Sequence, residues 1–100
     1  MIPEETVHVI ARFQALSGRS ESLKTLLESL IEPTRAEPGC LDYVLWQERE
    51  DPSRFVLIER WRTQSDLDQH LETPHLTHAK ERFDDLLESP LSLTHYRCLA

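Results

Sequence analysis

The hydrophobic period of this chain alternates between two and about 3.6 residues, and each change marks an element. From Thr6 to Ala15, Val7, Val9, Ala11 and Phe13 fall on one side, with His8, Ile10, Arg12 and Gln14 on the other. That period of two, with β-branched residues, predicts a strand. Ser17-Gly18 is a turn. From Ser20, Leu23, Leu26, Leu27, Leu30 and Ile31 recur at helical spacing and predict an amphipathic helix. Pro33 falls late in it, where it either kinks the helix or ends its regular part. Pro38-Gly39 is a firm stop. Cys40 to Glu48 alternates again, with Leu41, Tyr43 and Leu45 on one face and Val44 and Trp46 on the other.

Asp51-Pro52-Ser53 makes a hairpin-like connection. Arg54 to Arg62 is a third strand, setting Phe55, Leu57, Glu59 and Trp61 against Val56, Ile58 and Arg60. Thr63 caps a short helix ending near Glu72, with Asp66 as the partner in a capping box. Thr73-Pro74 starts a second helix, because proline suits the first helical turn. Its buried stripe is Leu76, Ala79, Phe83, Leu86 and Leu87. Ser89-Pro90 ends it, and Leu91 to Arg97 is the last strand. The order is βαββαβ, a ferredoxin-like α+β plan with an antiparallel sheet and helices on one face. Tyr43, Trp46, Phe13 and the aliphatic residues supply more apolar surface than helices on one side cover. A homodimer packed through the bare sheet faces is therefore expected, a dimeric α+β barrel.

Length and composition narrow the function. One hundred residues make a single domain spanning 1–100. A hydrophobic content of 39 % with 29 % charged residues is globular rather than disordered. The net charge of −7 argues against nucleic acid and anionic membranes, which want basic patches. No apolar run approaches the ~20 residues of a membrane span. The opening Met1-Ile2-Pro3-Glu4-Glu5 has neither the basic nor the apolar part of a signal peptide. With Cys40 and Cys98 read as free thiols on opposite sheet edges, a cytoplasmic location is expected. Two glycines leave no phosphate-cradling loop and no dinucleotide fingerprint.

Several residues carry candidate chemistry. Glu59 shares a strand face with Phe55, Leu57 and Trp61, so its carboxylate needs either a basic partner or a raised pKa, which would suit a general base. Trp61 brings an indole N–H that needs an acceptor when buried, a ligand oxygen among the options. His75 follows the Thr73-Pro74 break and can take a phenolic proton near neutral pH. His70 serves either packing or the pocket, and the Tyr43 hydroxyl serves either a ligand or a dimer contact. His70, His75 and His78 form the only imidazole grouping worth testing for metal. Zinc sites want tight helical pairs plus a distant ligand, so no metal is expected. Neither cysteine has an activating neighbour.

Three strings, Glu37-Pro38-Gly39-Cys40 with Tyr43 following, Phe55 through Glu59-Arg60-Trp61, and His70 to His75 with Thr73-Pro74 between, resemble the antibiotic biosynthesis monooxygenase family over roughly the whole chain. The resemblance implies a small homodimer with a pocket between sheet and helices. It implies oxidation of quinols or polycyclic phenols by molecular oxygen without metal or flavin, so no cofactor is expected. The haem-degrading branch is recognised by an Asn, a Trp and a His; Trp61 and His75 match, but the chain contains no asparagine. A related isomerase shares the Thr-Pro-His string. The expectation is thus a monooxygenase for a small aromatic molecule, with His75, Glu59 and Trp61 catalytic. Tyr43, Phe55, Leu57, His70 and Phe83 line the pocket in this reading. The alternatives are a proton-transfer isomerase, with Arg12, Arg60 and Arg82 available for a phosphate, and a non-catalytic dimeric binding module.

Overall fold

Four alternating segments become the strands β1 (Val7–Gln14), β2 (Cys40–Gln47), β3 (Arg54–Trp61) and β4 (Ser92–Tyr96) of one antiparallel sheet, ordered β2-β3-β1-β4. The helical segments become α1 (Ser20–Ser29), α2 (Ile31–Arg35), α3 (Gln64–His70) and α4 (Pro74–Leu86). This computed structural model describes residues 6–100, so the opening pentapeptide read for a leader lies outside the described residues. The architecture is the ferredoxin-like α+β plan that the periods predict. Among the described residues, no helix is long and apolar enough to cross a membrane.

Register decides which side chains meet the helices. Val9 pairs with Glu59, Ala11 with Leu57 and Phe13 with Phe55. Tyr43 also pairs with Glu59 from the other side. These residues are buried beneath the helices, together with Leu23, Leu27, Leu67, Ala79 and Leu86. The opposite sheet face has no helix on it and leaves Trp46 55 %, Ile58 43 % and Tyr96 46 % exposed. Tyr43 and Trp46 thus separate as strand parity requires.

Local chemistry moves three expected boundaries. Pro33 has no N–H for the Ser29 carbonyl, so the helical ladder breaks at Leu30 and a separate short helix, α2, holds the proline near its start. A bulge lies between Cys40 and Asp42, which pair with Trp61 and Arg60 respectively. The extra residue, Leu41, is consequently exposed rather than aligned with Tyr43 and Leu45. The last strand is shorter than Leu91 to Arg97, ending at Tyr96 and leaving Cys98 exposed beyond it.

Candidate active site

Two turns build the site. The first is Pro38-Gly39, where Gly39 has φ +85°. A Cβ at Gly39 would collide with the Asp66 side chain, so glycine is required both for the turn and for its approach to α3. Asp66 is itself fixed: its N–H donates to Thr63 Oγ1 at 3.0 Å, and Arg62 Nε donates to its carboxylate at 3.0 Å. The turn docks on this cap and carries Glu37 inward. The second is Thr73-Pro74, where Thr73 Oγ1 donates to the His70 carbonyl at 2.8 Å and Pro74 opens α4. It sets His70, the last residue of α3, and His75, in the first turn of α4, around Glu37.

One carboxylate oxygen then serves both rings. His70 Nδ1 lies 2.8 Å and His75 Nε2 2.7 Å from Glu37 Oε2. Side-chain exposure rises outward, from 3 % at His70 through 11 % at Glu37 to 23 % at His75. The His70 ring stacks on Trp61 with centroids 4.6 Å apart and meets Tyr43 edge-on at 5.7 Å. Trp61 Nε1 donates to Glu59 Oε1 at 2.9 Å. The indole acceptor is therefore Glu59, and the Glu59 partner is an indole rather than a basic residue.

Three of these groups, Tyr43, Glu59 and His70, border an apolar cavity of about 50 Å³ between sheet and helices. Tyr43, Leu57, Glu59, His70 and Phe83 line it, and Lys80, Leu91, Leu93 and His95 form its rim. Of the expected site residues, Trp61 is fully buried behind His70 and does not itself line the cavity. Phe55 belongs to the core and does not line the cavity, and neither does His75. His78 is exposed beside Glu81, so Glu37 is the group that joins the other two histidines. The sequence pattern assigns Glu37 no chemical role. Its only signal was its place in the Glu-Pro-Gly-Cys string, since its partners lie 33 and 38 positions away. The arginines considered for a phosphate do not gather: Arg12 bonds Thr94 and Arg60 pairs with Asp42 on the open face, while Arg82 is exposed on α4.

Burial sets the electrostatics. It pushes the Glu59 carboxyl up to about 7, against the stabilising indole N–H, with Glu37 adding repulsion. Desolvation raises the Tyr43 phenol, and the Glu59 charge adds to this. Desolvation lowers the His70 imidazole despite its bond to Glu37, favouring the neutral ring. Burial also pushes the Cys40 thiol up to about 11, so it is a poor nucleophile.

A family model described as "Antibiotic biosynthesis monooxygenase" matches residues 6–82. Rv0793 of Mycobacterium tuberculosis, provisionally named a monooxygenase, is 40 % identical over 88 residues, covering 88 % of this chain and 86 % of its own. Its solved structure aligns with a TM-score of 0.90 at 36 % identity, over 95 % of this chain and 96 % of the other. The crystal structure of PA3566 from Pseudomonas aeruginosa aligns over 100 % of both chains, with a TM-score of 0.93 and 33 % identity.

Proposed function

The chain belongs to the antibiotic biosynthesis monooxygenase family, and from that premise we propose that it is a monooxygenase-type enzyme oxidising a small phenol or quinol with molecular oxygen and no bound cofactor. The observation that carries this reading is that His70, one of the residues lining the apolar cavity, is hydrogen-bonded through Nδ1 to Glu37 outside that lining. A carboxylate accepting from Nδ1–H leaves the lone pair of a neutral imidazole on Nε2. That nitrogen has no hydrogen-bond partner among the described residues. His70 is thus the base nearest a bound phenol, and His75 acts only through Glu37.

Electrons and protons balance without a helper. His70 takes the phenolic proton. The phenolate adds dioxygen at a ring carbon, and Glu59, whose carboxyl keeps its proton up to about pH 7, protonates the outer peroxide oxygen. The ionised Glu59 then removes the ring C–H proton while the O–O bond breaks. The departing hydroxide takes the proton held on His70 and leaves as water. One oxygen atom stays in the quinone product, and the substrate supplies all the electrons. Phe83 and Leu57 keep water from the anion. Substrate pockets are commonly ~300 Å³ or more, so a ring enters as the exposed rim side chains Lys80, Leu93 and His95 swing aside.

The open sheet face supports a second element of the reading, a homodimer joined through Trp46, Ile58 and Tyr96. Oxygen uptake by metal-free protein with a panel of reduced quinones and phenols tests the activity. Stoichiometric oxygen uptake with at least one member is expected. No uptake with any of them, from protein that is folded by circular dichroism, contradicts the proposal.

A further inference from the structure

Glu37, His70 and His75 also form a donor set. One ligand atom from each lies within 4.8 Å of the other two. We propose that these three side chains bind a divalent transition metal ion such as Zn²⁺, and that metal binding and base catalysis exclude each other. Two imidazole nitrogens and one carboxylate oxygen suit zinc, cobalt or iron(II), whereas magnesium and calcium prefer oxygen ligands alone. The three ligands come from the turn before β2, the end of α3 and the start of α4, and the fold already gathers them within 4.8 Å. His70 and Glu37 are nearly buried, with side chains 3 % and 11 % exposed, which limits how far either can swing. His75, with its side chain 23 % exposed, leaves a path for the ion and a position for water. The carboxylate places an anionic oxygen ligand beside the two imidazoles. The present separations of 2.7 and 2.8 Å are hydrogen-bond lengths. Ligands around tetrahedral zinc stand about 3.3 Å apart, so Glu37 must withdraw by roughly half an ångström and the partly exposed His75 ring must turn to set the two histidine nitrogens, which lie within 4.8 Å, at that spacing.

The exclusion follows from the tautomer. In the metal-free protein Glu37 holds the His70 proton on Nδ1 and leaves the Nε2 lone pair available. A metal ion takes the Nδ1 lone pair, so the single proton of the neutral ring must move to Nε2. The ring keeps its proton count and loses its basic site. This half of the inference rests on the function proposed above; the metal site itself does not.

Titration of metal-free protein with Co²⁺, followed by visible absorption and by Zn²⁺ competition, tests the site. One equivalent per chain is expected to saturate. Glu37→Gln and His75→Gln should each weaken binding by at least the roughly 10–100-fold lost when a mere outer-shell partner is removed, and the exposed control His78→Gln should not. Absence of saturable binding overturns the site, as does binding that His78→Gln weakens as much as His75→Gln does. Nitrogen-15 spectra of labelled histidine should show the His70 proton on Nδ1 before Zn²⁺ and on Nε2 after it, with oxygen uptake falling in proportion to occupancy. An unchanged tautomer, or full turnover at saturating Zn²⁺, overturns the exclusion. Metal binding with the tautomer change in a protein that oxidises no phenol supports the site and overturns only the proposed function.

Discussion

Glu59 and Arg60 are adjacent in sequence, yet they lie on opposite faces of one sheet and in different chemical worlds. Glu59 points under the helices, is 5 % exposed, and holds a proton up to about pH 7. Arg60 points to the open face and pairs with Asp42 at 2.6 Å, with side chains 41 % and 53 % exposed. Strand parity alone separates them. The covered face changes the chemistry of what it buries, and the open face leaves its charges in water and its large apolar side chains unpacked. Catalytic potential therefore collects on one face and association potential on the other.

Changes to the covered face should cost most. Trp61 is fully buried, stacks on His70 and donates to Glu59. Trp61→Ala is expected to destabilise the fold by about 3–5 kcal/mol, read from urea unfolding. A loss below about 1 kcal/mol would show that the covered face is not packed as described.

Glu59 gives the covered face a pH signature. Its folded pKa of about 7 lies above the ordinary value of 4.5. The contribution is therefore fully present below about pH 4.5 and is lost as pH rises to about 7. That loss amounts to roughly 3 kcal/mol. Glu59→Gln, which keeps an acceptor for the indole, removes it. The stability difference between the two proteins should move in favour of the variant across this window and then level off. A constant difference from pH 4.5 to 8 would contradict the raised carboxyl.

The open face should respond through assembly. Light scattering is expected to give twice the 11.7 kDa chain mass at micromolar concentration. Trp46→Asp should shift the equilibrium toward monomer by about 2 kcal/mol or more with the fold retained. A folded wild-type monomer would contradict the pairing of open faces. Smallest of all, Arg60→Gln should change stability by about 1 kcal/mol or less, because exposed ion pairs contribute little.

The sheet, its parity and the Thr63 and Thr73-Pro74 helix starts were legible in the sequence, because period and capping are local signals. The division of Tyr43 from Trp46 followed from the same parity. The bulge at Leu41 was not legible, since an extra residue shows only once the partner strand sets the register. Placing Glu37 was harder still. It depends on Gly39 fitting against Asp66 and on two turns closing around one carboxylate, contacts that no local pattern encodes. The helix break that marks His75 is a local signal, whereas the presence of His70, five positions earlier, in the cavity lining is set by packing.

The central claim is that His70 is the base facing the cavity and that His75 acts behind Glu37. Comparing the oxygen-uptake kcat of His70→Gln with that of His75→Gln, both checked for folding, tests it most directly. The account predicts a loss on the order of 10² to 10⁴ for His70→Gln and about tenfold or less for His75→Gln. A larger loss for His75→Gln than for His70→Gln would contradict it.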